Sequence, residues 1–331
     1  MIKGFVFGKF LPFHKGHEAM INFALTKCDR LTVLVCCSDK ETIPAEIRQN
    51  WISQTFASTK NINVEIFNYK EDELPNTSVS STEVSQVWSE KFKTLFPDYN
   101  LVITSEKYGD YVASFMGIQH IPFNVPRDIV PISASMVRGN LIKYWNYLPE
   151  SVKPYFAIKV VILGTESTGK TTLTEKLAIE FGCSSVAEVG RELIPDSQSF
   201  DYDDLYLIAS EHANKIDNAH LENSPLLIID TDIHTTKSYA NFVFGKPLNV
   251  DENIYNSNKA DLYLYLNNDV KFIQDGTRLN ENERNLLDLS HRQILKEHNI
   301  AFTEINGDWE TRFENAVQAI KQLLGSKYPQ P

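Results

Sequence analysis

Residues 160–171 read VVILGTESTGKT, four apolar residues followed by the spacing G-x-x-x-x-G-K-T. The apolar run is typical of a buried parallel strand, and residues 170–181 continue with the pattern of a helix. A strand, a glycine-rich loop and a helix in this order bind phosphate groups at the helix N-terminus. The stretch therefore predicts a P-loop within a parallel α/β domain. A chance glycine-rich turn is the alternative, and the full spacing with both flanks argues against it.

The loop residues have separate predicted tasks. Backbone N–H groups curl around the phosphates, Lys170 reaches the β- and γ-phosphates, and the Thr171 hydroxyl binds Mg²⁺. ATP is therefore the expected co-substrate and Mg²⁺ the expected cofactor. The predicted ATP-binding set consists of Gly164, Glu166, Ser167, Thr168, Gly169, Lys170, Thr171 and Thr172.

Acidic residues follow two other predicted strands of this half. Leu226–Asp230 is a buried strand that ends in a carboxylate, so Asp230 is the predicted metal-ordering acid. Asp232 is a candidate substrate-binding residue, with capping of the next helix as the alternative. Glu188 and Arg191 follow a short strand and would face the phosphate edge, where an acid such as Glu188 can accept the proton of an incoming hydroxyl.

Arginines follow the strand at 262–266. Asp275-Gly-Thr-Arg278, with Arg284 six residues later, predicts a lid that carries arginines onto the transferred phosphoryl group. A solvated turn with ordinary surface arginines is the alternative. Because no Asn-Lys-x-Asp sequence follows the later strands, a small-molecule kinase is favoured over a GTPase.

The first half carries a second phosphate-binding pattern. Residues 8–17, GKFLPFHKGH, link a predicted strand to a predicted helix, so His14 and His17 lie at a helix N-terminus. Both can donate hydrogen bonds to a triphosphate and to charge that develops on its α-phosphorus, with Gly8 and Phe10 shaping the loop. A metal site and a pair of core or capping histidines are the alternatives.

A related pattern lies far downstream. Residues 131–138, PISASMVR, place hydroxyls and backbone N–H groups at a helix start with an arginine one turn later. We expect Ser133, Ser135 and Arg138 to hold the phosphates that leave as pyrophosphate.

Composition fixes the setting of these motifs. The chain has 331 residues, 42% hydrophobic and 23% charged, which is typical of folded protein and long enough for two domains. A proline-containing stretch at 147–155 predicts the boundary, giving domains 1–154 and 155–331. The net charge of −11 disfavours nucleic-acid binding, and the absence of a signal peptide or spanning segment predicts a cytoplasmic protein without membrane insertion.

Residues 8–17 and 132–138 resemble the paired G-x-F-x-P-x-H-x-G-H and I-S-x-[ST]-x-x-R signatures of the nucleotidyltransferase superfamily. With the P-loop half fused behind them, the order of motifs resembles the bifunctional NadR-type nicotinamide-nucleotide adenylyltransferases and ribosylnicotinamide kinases. The resemblance covers residues 1 to about 324. It implies a Rossmann-like nucleotidyltransferase domain followed by a P-loop kinase domain, both with mainly parallel sheets.

The resemblance also implies a function. The second domain would phosphorylate nicotinamide riboside, and the first would join the mononucleotide to AMP from ATP, giving NAD and pyrophosphate. Trp51 and Trp88 fall where the family places aromatic residues over the nicotinamide ring. For Trp51, which sits in an amphipathic helix pattern, a core position is the alternative. Asn124 and Arg127 fall at a substrate-binding position. The chain departs from the family pattern at Asn124, where the family has Asp, and at Ser135, where it has Thr.

Two other interpretations stay open at this point. One keeps both chemistries but acts on a different phosphorylated substrate, and the other is a nucleotide-sensing regulator. Some NadR-type proteins begin with a helix-turn-helix; because the first predicted strand starts at residue 2, we expect no direct DNA binding. A homo-oligomer and a functional link to a riboside transporter are compatible with the resemblance.

Overall fold

The structure of the protein is a computed structural model that describes residues 1–75, 81–194, 200–270 and 280–328, without the Arg191 side chain. The chain divides into two compact units, Met1–Tyr155 and the residues from Phe156 onward. Each unit contains a five-stranded sheet whose neighbouring strands are all parallel. The predicted α/β fold class is confirmed. No described helix combines the length and the apolar character needed to cross a membrane.

The first unit alternates strands and helices along most of its length. Its elements are β1 (Lys3–Gly8), α1 (Lys15–Leu25), β2 (Arg30–Ser38), α2 (Ala45–Thr55), β3 (Ile62–Tyr69), α3 (Thr82–Leu95), β4 (Leu101–Thr104), α4 (Tyr108–Met116), β5 (Gln119–Pro122), α5 (Ala134–Gly139) and, at the unit boundary, α6 (Lys153–Phe156).

The first sheet has the order β3-β2-β1-β4-β5. Its central strands are buried, with Phe5 and Val6 of β1 wholly inaccessible to solvent. An aromatic cluster covers one face, where Phe5 stacks on Phe96 with ring centroids 4.6 Å apart. The strand order reverses beside β1, and in open parallel sheets the crevice at such a switch point binds ligands. Residue 8 ends β1 at this crevice, so the first phosphate motif begins there.

The second unit also alternates strands and helices around a parallel sheet, but its strands follow one another across the sheet in a different order. Its elements are β6 (Ile158–Leu163), α7 (Lys170–Phe181), β7 (Ser184–Val186), α8 (Gly190–Leu193), α9 (Tyr202–Asp217), β8 (Leu226–Asp230), α10 (Ile233–Phe244), α11 (Glu252–Ser257), β9 (Leu262–Leu266), α12 (Glu281–Glu297), β10 (Thr303–Ile305) and α13 (Trp309–Lys327).

The second sheet has the order β10-β9-β6-β8-β7. Strand β6 lies between β8 and β9, and the register pairs Ile162 with Asp230. The apolar run that precedes the P-loop is therefore the central strand, buried on both faces as its sequence predicts.

The stretch predicted to mark the domain boundary, residues 147–155, is packed. Leu148 and Val152 are fully buried. The Ser151 hydroxyl donates a 2.9 Å hydrogen bond to the Trp51 carbonyl, and the Trp51 ring meets Tyr155 edge-on at 5.3 Å. Residues 147–155 thus pack as part of the first unit, with Ser151 and Tyr155 in contact with α2.

Candidate active sites

His14 begins α1 as its N-cap. Its backbone is extended, and its Nδ1 accepts hydrogen bonds from the backbone N–H groups of Gly16 (3.1 Å) and His17 (3.3 Å). An imidazole nitrogen that accepts two bonds carries no proton, so the proton of neutral His14 is on Nε2. The capping alternative from the sequence is therefore observed, and it leaves His14 with one N–H donor.

His17 stacks on His14 with ring centroids 3.7 Å apart, and Phe10 meets it edge-on at 4.9 Å. Burial, together with the nearby Arg127 guanidinium, lowers the pKa of His14 to about 4. Burial and the neighbouring His14 hold the pKa of His17 well below its usual range. Both histidines are neutral hydrogen-bond donors at physiological pH rather than cations.

Arg138 joins the two phosphate motifs of the first unit. One guanidinium nitrogen donates to the carbonyl of Leu11, in the β1–α1 loop, and another donates to Ser135 Oγ at 3.3 Å. Ser133 is the N-cap of α5 and accepts from the Met136 N–H at 3.2 Å. Two segments more than 100 residues apart therefore form one cradle.

A cavity of about 280 Å³ lies at this cradle. The predicted residues that line it are Gly8, Phe10, His14, His17, Asn124, Arg127, Ser133, Ser135 and Arg138. Lys9, Glu106 and Tyr108 line it as well and were not singled out from the sequence. Lys9 falls inside the quoted motif, which was the available signal, whereas Glu106 and Tyr108 follow β4 without a distinctive spacing.

Arg127 and Asn124 both have positive φ, 59° and 47°. Arg127 pairs with Glu106 at 2.6 Å, and Asn124 Oδ1 accepts from the Ile129 N–H at 3.1 Å. The amide at position 124 therefore shapes the turn that presents Arg127. This backbone conformation is one that Asn and Asp adopt more readily than most residues.

A second cavity of about 480 Å³ adjoins the first and shares Lys9, Glu106 and Arg127 with it. Trp88 lines the second cavity, and its indole N–H donates to the Pro75 carbonyl at 3.1 Å. Trp51, on α2, lines neither cavity, and its side chain is buried, with 2% exposed. Of the two tryptophans, only Trp88 lines one of these cavities, and it is itself 8% exposed within the aromatic cluster on the sheet, whereas Trp51 lies in the core.

The P-loop of the second unit is held by contacts within the loop. The Thr168 hydroxyl and the Lys170 ammonium both donate to the Thr165 carbonyl, at 2.7 Å and 3.2 Å. Gly164 has φ 139°, and a Cβ there would lie 2.6 Å from the Leu266 carbonyl oxygen. Only glycine fits at that position. Ser167 and Gly169 also adopt positive φ, and Thr172 is exposed in the first turn of α7.

Thr171 and Asp230 lie together, as the motif predicts. The Thr171 hydroxyl donates to Asp230 Oδ2 at 2.6 Å, and Asp230 is wholly buried at the end of β8. A hydroxyl and a carboxylate are hard oxygen ligands of the kind that Mg²⁺ prefers. The two side chains therefore fit a magnesium ion.

Asp232 is the N-cap of α10. It accepts from the backbone N–H groups of His234 (3.0 Å) and Thr235 (3.3 Å), and it pairs with the His234 ring. The capping alternative is thus observed for Asp232. Glu188 lies half-buried after β7. The Arg191 side chain and the segment that contains Arg278 lie outside the described residues.

Arg284 and Arg312 are buried arginines that hold loops of this unit. Arg284, on α12, donates to the Asn268 carbonyl at 3.2 Å. Arg312, on α13, donates to the carbonyls of Thr168 (2.9 Å), Gly307 (2.9 Å) and Asn267 (2.7 Å). Arg312 therefore holds the P-loop through the Thr168 carbonyl. No local sequence pattern indicates this role.

Each half of the chain matches a known family model. Residues 6–70 match the family model described as the citrate lyase ligase C-terminal domain, and residues 159–312 match an AAA domain model. Over 353 residues the chain is 31% identical to the "Trifunctional NAD biosynthesis/regulator protein NadR" of Escherichia coli (strain K12), covering 98% of this chain and 84% of the relative. The chain belongs to the NadR family.

A second NadR, from Salmonella typhimurium, is 30% identical with the same coverage. Among solved structures, a NadR protein in complex with NAD and AMP-PNP has a TM-score of 0.69 at 21% identity, covering 98% of this chain and 96% of that one. A NadR protein in complex with NR has a TM-score of 0.70 at 22% identity with the same coverage. The NadR fold therefore extends over nearly the whole chain.

Proposed function

We propose that this chain is a bifunctional transferase of NAD salvage. The second unit phosphorylates nicotinamide riboside with ATP, and the first unit transfers adenylyl from ATP to nicotinamide mononucleotide, releasing pyrophosphate. The observation that carries the proposal is the presence of two separate phosphate cradles, one at Lys170 and one at His14 and Arg138, in a chain of the NadR family. Both reactions take place in the cytoplasm.

In the kinase reaction, the 5′-hydroxyl oxygen bonds to the γ-phosphorus of ATP, the β–γ bridge breaks and ADP leaves. The hydroxyl is neutral, so an acid must accept its proton. Glu188 follows β7 at the edge of the sheet where β6 leads into the P-loop, so we assign proton acceptance to Glu188. Lys170 and an arginine of the 275–284 segment, Arg278 or Arg284, neutralise the transferred group. Mg²⁺ held by Thr171 and Asp230 would supply further positive charge to the phosphates.

In the adenylyl transfer, a phosphate oxygen of the mononucleotide bonds to the α-phosphorus of ATP, and the bond to the β-phosphate breaks. This nucleophile is already an anion, so no base is needed. His14 and His17 donate neutral N–H groups to the phosphates, and Arg138 with Ser133 and Ser135 receives the leaving pyrophosphate. Trp88, with Asn124 and Arg127, binds the mononucleotide.

Product analysis tests the proposal directly. The purified protein is incubated with Mg-ATP and nicotinamide riboside, and the mononucleotide, NAD, ADP and pyrophosphate are followed over time. We expect the mononucleotide to rise and then fall as NAD and pyrophosphate accumulate. Mononucleotide without NAD would refute adenylyl transfer by the first unit, and no turnover would refute the nicotinamide substrate.

A further inference from the structure

Arg48 on α2 is wholly buried, although its side chain carries a permanent charge. A buried guanidinium is stable only where its donors meet well-placed acceptors. One of its acceptors is the Lys9 carbonyl, in the loop that joins β1 to α1 and carries the first phosphate motif. Nothing in the proposed reaction uses Arg48 directly.

The contacts of Arg48 join the Lys9 carbonyl of that loop to the end of β2 and to the segment that leads into α2. Nη1 donates to the Lys9 carbonyl at 2.7 Å and lies 2.7 Å from Glu41 Oε2. Nε donates to the Pro44 carbonyl at 3.4 Å, and Nη2 contacts Cys37 Sγ. The guanidinium therefore ties the loop to α2 and to the end of β2.

Glu41 contacts the side chain of Lys9, the residue whose carbonyl Arg48 binds. Its side chain is 6% exposed, and its second oxygen, Oε1, lies 2.8 Å from the Lys9 ammonium. Lys9 is thus held at its carbonyl by Arg48 and at its ammonium by Glu41. Because Lys9 lines both cavities, the contacts of Arg48 and Glu41 with Lys9 fix a residue shared by the two cavities.

The peptide that Arg48 holds leads directly into Phe10. Phe10 has φ 48°, a left-handed conformation that a bulky residue keeps only where its surroundings impose it. The Phe10 ring in turn meets His17 edge-on at 4.9 Å. An unbroken chain of contacts therefore runs from Arg48 through the Lys9–Phe10 peptide to the imidazole of His17.

We propose that Arg48 and Glu41 are positioning residues for adenylyl transfer: they hold the Lys9–Phe10 peptide so that Phe10 keeps His17 in place. This inference rests on the proposed function of the first unit for its kinetic consequence. The guanidinium contacts the Lys9 carbonyl and Glu41 through Nη1, and it reaches Pro44 and Cys37 through its other two nitrogens. The single ammonium of lysine cannot reach all of these acceptors in the same geometry.

The experiment uses the full chain with Arg48→Lys and Glu41→Gln. Arg30→Lys, an exposed arginine of the same unit, is the matched control. Amide hydrogen exchange is measured across the chain without substrate. Steady-state adenylyl transfer and riboside phosphorylation are measured on the same preparations, so that the second unit reports whether each variant remains intact.

We expect faster exchange in Arg48→Lys and Glu41→Gln, confined to residues 9–17, and none in Arg30→Lys. A loosened His17 should lower kcat/KM for adenylyl transfer about 100-fold in Arg48→Lys, since small misplacements of catalytic groups cost this much. In a double-mutant cycle, Arg48→Lys and Phe10→Leu should be strongly non-additive. Riboside phosphorylation should not change.

Unchanged exchange at residues 9–17, or faster exchange spread over the whole first unit, would overturn the proposal. Kinetics equal to those of Arg30→Lys would overturn it as well. A wild-type protein that makes no NAD, with exchange still increased at residues 9–17 in Arg48→Lys, would refute the proposed function and leave the positioning of the loop intact.

Discussion

The Thr171 hydroxyl donates a 2.6 Å hydrogen bond to Asp230 Oδ2, although 59 residues separate them in the chain. The bond forms because β6 and β8 are neighbours and end at the same edge of the sheet. Thr171, the second residue of α7, therefore faces the acid that ends the neighbouring strand, β8. The fold alone therefore brings together the two oxygen groups that we propose as magnesium ligands.

This pair should set the magnesium requirement of riboside phosphorylation. Thr171→Val removes a ligand with little change in shape, so we expect the Mg²⁺ concentration for half-maximal rate to rise about tenfold or more. Thr171→Ser keeps the hydroxyl and should behave like the wild type. Rates measured across a magnesium titration give the answer; equal requirements in Val and Ser variants would contradict this role.

Riboside phosphorylation and adenylyl transfer should be lost independently of each other. Lys170→Met should lower riboside phosphorylation about 100-fold or more, since a charged group that stabilises the transition state is gone. His17→Asn should have a similar effect on adenylyl transfer. Each variant is assayed for both reactions, and each should retain the other within about twofold. Loss of both reactions from one change in a folded protein would argue against two independent sites.

Trp88 and Trp51 should differ in what they affect. Trp88→Leu removes an aromatic face from the larger cavity, and we expect KM for the mononucleotide to rise about tenfold with KM for ATP unchanged. Trp51→Leu should instead lower the free energy of unfolding of the first unit by roughly 2–4 kcal/mol, because it leaves a gap in the core. The comparison needs initial rates and a denaturant melt for both variants. A raised KM in folded Trp51→Leu would reverse our assignment.

His291 should make the second unit sensitive to acid. Burial, with Lys170 nearby, lowers the pKa of His291 to about 3, and Nδ1 has no hydrogen-bond partner among the described residues. An unfolded histidine titrates near pH 6.5, so below that pH the unfolded state binds a proton that the folded state refuses. Stability from this group is complete above pH 6.5 and falls as the pH drops towards 3.

His291→Gln should therefore lose less stability than the wild type between pH 7 and 4.5, by roughly 2–3 kcal/mol. Chemical denaturation at both pH values measures the difference. His220→Gln, at an exposed position, is the control and should follow the wild type. Parallel losses in all three proteins would show that His291 does not contribute.

Arg312 should affect the kinase reaction through the P-loop. Arg312→Lys cannot bind the Thr168, Gly307 and Asn267 carbonyls together, so we expect KM for ATP in riboside phosphorylation to rise about tenfold. The free energy of unfolding of the second unit should fall by roughly 1–3 kcal/mol as buried carbonyls lose donors. Initial rates at varied ATP test this, and adenylyl transfer should be unaffected.

The sequence predicts the features that depend on local spacing. The P-loop, both phosphate motifs and the alternation of strands and helices follow from residues close together in the chain, and the structure contains them. Local spacing predicts which face of a helix is buried, but not whether a residue on that face meets the core or a cavity. It therefore left a core position open for Trp51, which the structure shows, and did not reveal that the buried Trp88 lines a cavity.

Contacts between distant residues could not be predicted in this way. Arg48 reaches Lys9 from 39 residues away, and Arg312 reaches Thr168 from 144 residues away. Each is a single arginine on an amphipathic helix, a pattern that normally indicates a solvated face. Only the folded structure brings these helices into contact with the phosphate loops.

The neutral state of His14 and His17 has a consequence for how ATP arrives at the first unit. Uncharged imidazoles exert no long-range force, so attraction across solvent comes from the charged groups of the cavity. Lys9 and Arg127 are offset by Glu41 and Glu106, so Arg138 contributes most of this attraction. Ionic strength screens these charges but not short hydrogen bonds in a buried loop. Added salt should slow the capture of ATP, while the grip of the histidines on bound phosphates stays the same.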